Sequence, residues 1–97
     1  MEQIVNIALQ IIPKSRTKEV YDIVDEAIAI IQKSGLKHKV CPFETVIEGA
    51  YEEVMKVAKD AQDACFAAGA DDLLVFIKIQ RKKSGNVSIE DKIEKYS

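Results

Sequence analysis

The sequence predicts an α+β domain in which a four-stranded antiparallel sheet carries two helices on one face. Three observations lead there. Ile- and Val-rich stretches of strand character occur around residues 3–12, 37–49 and 73–80. Apolar residues at helical spacing fill residues 18–34 and 52–68 between them. The middle stretch breaks at Phe43-Glu44, a connection so short that its halves must form a hairpin.

Gln3 to Ile12 reads as the first strand, and Pro13 is expected to close it. Val5, Ile7, Leu9 and Ile11 form an apolar row for a helix-covered core, whereas Ile4, Asn6, Ala8, Gln10 and Ile12 form a mixed row. Lys18 to Ser34 is a helix with a stripe of Val20, Ile23, Val24, Ala27, Ile28 and Ile31. Thr17 is its expected N-cap, Glu19 lies in its first turn, and Gly35 is its stop. Lys37 to Phe43 and Glu44 to Gly49 are the hairpin strands. Glu52 and Glu53 open a second helix, its stripe running from Val54 through Val57, Ala58, Ala61 and Cys65 to Ala68, and Gly69 ends it. Leu73 to Gln80 is the fourth strand. Ser88 with Asp91 three residues on marks the start of a short tail helix.

The order β-α-β-β-α-β is two split βαβ units, the ferredoxin-like arrangement, and residues 1–97 form one such domain. Right-handed crossovers put both helices on one face and leave the other bare. Ile4, Ala8 and Ile12, joined by Leu74 and Phe76 or by Leu73 and Val75, make that bare face too apolar to stay wet. Such a face suits an oligomer contact or a ligand floor.

Composition narrows the function classes. Hydrophobic residues at 47% and charged residues at 31% are ordinary for a soluble domain, and a formal charge of −2 disfavours nucleic acid or an anionic membrane as partner. The Arg81-Lys82-Lys83 trio reads as a solvated strand end. Two distant cysteines, Cys41 and Cys65, fit no metal motif or disulfide scaffold and point to reduced thiols in the cytoplasm. Gln3 to Ile12, broken by Asn6 and Gln10, reads as a strand rather than a secretory leader. No stretch is long enough to span a membrane.

The segment Cys-Pro-Phe-Glu-Thr-Val-Ile-Glu-Gly, Cys41 to Gly49, carries the candidate site. Glutamate is depleted in strands, so Glu44, Glu48 and the Thr45 hydroxyl stand out. They are expected to hydrogen-bond a small polar or cationic ligand over the bare face, with Gln10 and Asn6 completing the site and Phe43 as an aromatic wall. Read structurally, Glu44 would cap the hairpin and Glu48 would sit on a solvated strand end. Four residues apart on a strand, the two carboxylates lie roughly 13 Å apart along the backbone, wide for an acid–base pair. His38, the one histidine, sits in a Lys-His-Lys setting with no nucleophile at motif spacing, and a solvent-facing place is expected. No enzyme is indicated. The loop after the first strand, Pro13 to Arg16, lacks a Cys-x-x-Cys copper motif and the glycines of a phosphate cradle. The first strand has no aromatics for stacking RNA bases.

The first strand Val5 to Pro13, Ser34-Gly35-Leu36-Lys37, and Pro42 to Gly49 with its Thr-x-x-Glu-Gly core match a known pattern across nearly the whole chain, as does the tail Gly85 to Tyr96. The chain resembles the small thiamine-binding proteins of the YkoF-like type. That resemblance implies a non-enzymatic binder of thiamine or its aminopyrimidine precursor, with no required cofactor or metal. It implies homodimers that pair into a homotetramer through their sheets. Thr45 and Glu48 match the motif directly; Glu44 stands where members vary. The competing expectation is a structural or regulatory oligomer with no small-molecule ligand.

Overall fold

The structure, a computed structural model, describes residues 3–96; residues 1, 2 and 97 of the expected domain lie outside the described residues. Its elements are β1 (Ile4–Lys14), α1 (Val20–Lys33), β2 (Lys37–Val40), β3 (Thr45–Ala50), α2 (Tyr51–Ala67), β4 (Asp72–Gln80) and α3 (Ile89–Tyr96). The strands form one antiparallel sheet in the order β2-β3-β1-β4. The ferredoxin-like arrangement is therefore present, with α3 added.

The apolar row of β1 makes the core. Val5, Ile7 and Leu9 are buried with Ile47 of β3, Ile23, Ala27 and Ile31 of α1, and Val54, Ala58, Ala61 and Cys65 of α2. The helical stripes thus meet the row the alternation selected. Gly49 sits where the sheet passes beneath the start of α2. A β-carbon there would lie 3.2 Å from the Val54 side chain and 3.3 Å from that of Leu36. Burial pushes the Cys65 thiol above its ordinary pKa, so it stays protonated where an unfolded thiol would ionise. The folded form then loses stability only in alkali, as pH rises through the unfolded thiol's range.

Several boundaries differ from expectation. β1 does not stop at Ile12: it continues through Pro13, which pairs with Leu73, to Lys14. Beyond Leu9 this strand has no β3 partner, so on that side it is an edge where proline's missing N–H removes nothing. Thr17 is not the helix N-cap. The cap residue is Glu19, whose side chain makes no capping bond, and the Ser15 hydroxyl accepts from the amides of Thr17 (3.2 Å) and Lys18 (3.0 Å) instead. The first hairpin strand ends at Val40 rather than Phe43 and the second is shifted by one residue to Thr45–Ala50, because Cys41 to Glu44 form the turn, closed by the Cys41 amide donating to the Glu44 carbonyl at 2.9 Å. At the end of α1, Gly35 takes φ +75° and donates to the Gln32 carbonyl, as expected of a helix stop. Ser88 caps α3 by accepting from the Asp91 amide at 3.1 Å.

The second face of the sheet is not bare throughout. Past the end of β4, Asn86 and Val87 run beside Ile4. The Asn86 Oδ1 accepts from the Ile4 amide at 2.8 Å and the Val87 amide donates to the Ile4 carbonyl at 3.0 Å. The chain then crosses this face into α3, burying Val87 and Ile89. The far end carries an open apolar patch, where Ile12, Leu74 and Phe76 are 38–52% exposed.

Candidate functional site

The β1–β3 register decides which candidate residues can meet. Leu9, Ile7 and Val5 stand opposite Thr45, Ile47 and Gly49, all on the helix face; Ala8 and Asn6 stand opposite Val46 and Glu48 on the other. Thr45 and Glu48 therefore point to opposite sides of the sheet, and the six candidates do not form one cluster.

On the helix side, a cavity of about 420 Å³ opens between α1, the C-terminal half of β1 and the β2–β3 turn. Thr45, buried, contributes to its lining, with Leu9 and Ile11 of the strand and Val24 and Ile28 of the helix. Phe43 and Glu44 line it from the turn. Gln10 belongs to the wall through its place in β1, but its pairing with Phe76 puts its side chain on the other face. The cavity has apolar walls, a hydroxyl, and space for a small aromatic molecule.

Asn6 and Glu48 hold the C-terminal segment. The Glu48 Oε1 accepts from the Ile89 amide at 2.7 Å, giving a carboxylate to the start of α3 where the helix dipole favours it. Asn6, 2% exposed, donates from Nδ2 to the Val87 carbonyl at 3.1 Å. Its Oδ1 is, among the described residues, a buried atom without a partner. Lys37 of β2 pairs with Glu90, and that hydrogen bond raises the lysine's pKa above its ordinary value. The Glu44 carboxylate meets Lys78 of β4 at 3.1 Å, and Glu44 also lines a smaller hollow of about 360 Å³ over Asn6, Ala8 and Val46.

His38 lies on the helix side by its pairing with Ile47 and is partly buried rather than solvent-facing, with its Nδ1 2.9 Å from the Leu36 carbonyl. Arg81 stacks over the Tyr51 ring at 4.4 Å, so one member of the basic trio is engaged. Among the described residues no three His, Cys, Asp or Glu side chains gather as a metal site, and no helix is long and apolar enough to cross a membrane.

Sequence reasoning missed Tyr21, Val20 and Val40 as cavity residues. A signal was present: Val20, Val24 and Ile28 repeat every four residues along one edge of the α1 stripe, and the sheet covers only the neighbouring row of Ile23, Ala27 and Ile31.

A family model described as thiamine-binding protein matches residues 7–97. A UPF0045 protein of Clostridium perfringens is 35% identical over 91 residues, 94% of this chain and 95% of that protein. Among solved structures, a domain of unknown function (DUF77) from Bacillus cereus superposes with TM-score 0.97 at 39% identity, covering 100% of this chain and 93% of that one. A Thermotoga maritima protein assigned provisionally to thiamine biosynthesis/salvage superposes with TM-score 0.85 at 28% identity, over 97% and 99% of the two chains.

Proposed function

Since the chain belongs to the thiamine-binding protein family, we propose that it binds thiamine, or the aminopyrimidine half of it, without catalysing a reaction. The observation that carries this reading is the apolar cavity between α1 and the β2–β3 turn with the Thr45 hydroxyl in its lining. A flat aminopyrimidine ring gains from apolar walls on its faces and needs a hydrogen-bonding group at its edge. Thr45 serves that edge, Ile11, Val24 and Ile28 flank the ring, and Phe43, Glu44 and Gln10 border the site. Asn6 and Glu48 act from the other side of the sheet by holding the C-terminal segment. The protein works in the cytoplasm, where Cys41 and Cys65 stay reduced. It needs no metal or cofactor and engages neither nucleic acid nor membrane.

Calorimetry tests the site. Thr45→Val keeps the side-chain shape and removes the hydroxyl, and thiamine affinity is expected to fall by about two- to tenfold. Glu48→Gln is expected to leave thiamine binding intact. The reverse pattern would move the ligand to the other face, and no heat from the wild type at millimolar thiamine would end the reading.

The same family reading has subunits paired through their sheets, first as dimers and then as a tetramer. It is supported by Ile12, Leu74 and Phe76, side by side at the open end of the face. Phe76→Glu places a charge in that patch, and sedimentation is expected to show a smaller species with the fold retained. An unchanged mass would locate the contact elsewhere.

A further inference from the structure

The cavity has an unusual mouth. Phe43 in the β2–β3 turn is 81% exposed and Tyr21 in the first turns of α1 is 82% exposed, yet both line the same cavity. A single exposed aromatic needs no explanation, but two at one rim are placed to meet something. The lining holds one charged residue, Glu44, and its carboxylate already faces Lys78 at 3.1 Å. A cation entering here finds no free carboxylate in the lining. It finds two exposed aromatic side chains, whose ring faces carry the negative quadrupole that attracts positive charge.

We propose that Tyr21 and Phe43 hold a positively charged ring at the cavity mouth and so make the site prefer a cationic aromatic ligand over a neutral one of equal shape. This rests on the thiamine reading and deepens it: the neutral pyrimidine lies inside against Thr45, and the thiazolium stays at the rim. The arrangement follows from desolvation. An unpaired cation is costly to bring into an apolar interior, whereas at the rim it keeps part of its water and gains the rings. Recognition by ring faces also differs from an ion pair in its salt response, because an exposed ion pair is screened as ionic strength rises.

The test is calorimetry on the full chain with two probes, thiamine and its neutral isostere in which thiophene replaces the thiazolium. Tyr21→Leu and Phe43→Leu are made singly and together; both positions are exposed, so the fold is retained. Each change is expected to weaken thiamine by about two- to fivefold and the isostere little. In the double variant the preference for the charged ligand disappears. Thiamine affinity of the wild type is expected to stay nearly flat from low to high salt. Equal losses for both probes would reduce the rings to an apolar cover and overturn the proposal, as would a steep salt dependence, which assigns the cation to a carboxylate. Thiamine binding that depends on Thr45 but not on either ring overturns the clamp alone. If the wild type binds neither probe, the thiamine reading falls and the clamp with it.

Discussion

Ile47→Ala is expected to lower the unfolding free energy by about 2–5 kcal/mol, the usual cost of removing a large aliphatic group from a packed core. Ile47 is fully buried on β3, paired with Ile7 on one side and His38 on the other, in the cluster with Ile23, Ile31 and Val54. Interior strands held by both helices have little freedom to collapse into a cavity, which places the loss toward the upper part of that range. Phe66→Ala on the exposed side of α2, where the ring is 51% exposed, is the comparison and should cost less than about 1 kcal/mol. Denaturant unfolding at one fixed protein concentration measures both, since assembly would otherwise add to the apparent stability. A midpoint for Ile47→Ala close to that of Phe66→Ala would contradict the placement of the core.

Glu48→Ala is expected to loosen the C-terminal segment. It removes the acceptor for the Ile89 amide and the negative charge at the start of α3, while Val87 and Ile89 still cover the sheet. Losing such a cap costs about 1–2 kcal/mol, which in a domain of this size lowers Tm by roughly 4–8 °C per kcal/mol. Hydrogen exchange should show the Ile89 amide losing protection before the β1 amides do. Glu48→Gln retains an acceptor oxygen and should show a clearly smaller effect. Unchanged exchange at Ile89 in the alanine variant would mean that the other contacts of the segment, to Ile4, Asn6 and Lys37, suffice to hold it.

The element order was legible because each part of the chain keeps one period. The α2 stripe Val54, Val57, Ala58, Ala61 and Cys65 is buried as spaced, and so is the alternating row Val5, Ile7 and Leu9. What failed were features set by partners far away in sequence. Pro13 looks like a terminator until Leu73 lies beside it on a strand that is an edge on its other side. Ser15 outdoes Thr17 through its position in the loop, where its hydroxyl also donates to the Gly69 carbonyl at 2.8 Å. The bare face was read without its cover because nothing local says that Asn86 and Val87 return to Ile4.

The candidate site was legible in its residue types and not in its geometry. Cys41 to Gly49 does hold cavity residues, Phe43 and Thr45 among them. Grouping Thr45 with Glu48 ignored the side-to-side alternation within one strand, since three positions apart means opposite faces. Glu48 stands out in the sequence for a physical reason all the same: a carboxylate on that face meets the helix start that the tail delivers.

β1 is an interior strand of the sheet and precedes both of its neighbours in the chain, residues 45–50 and 72–80. During translation β1 therefore leaves the ribosome long before either partner. At about 5–20 residues per second, the roughly seventy residues up to the end of β4 take about 4–14 s to add. Both hydrogen-bonding edges of this apolar ribbon stay unclaimed until residues 45–50 are made, and one of them until residues 72–80 follow, a condition that invites misassembly with neighbouring polysomal chains. Ribosome-bound chaperones should accordingly shield Ile4–Lys14 and release it once residues 72–80 have emerged.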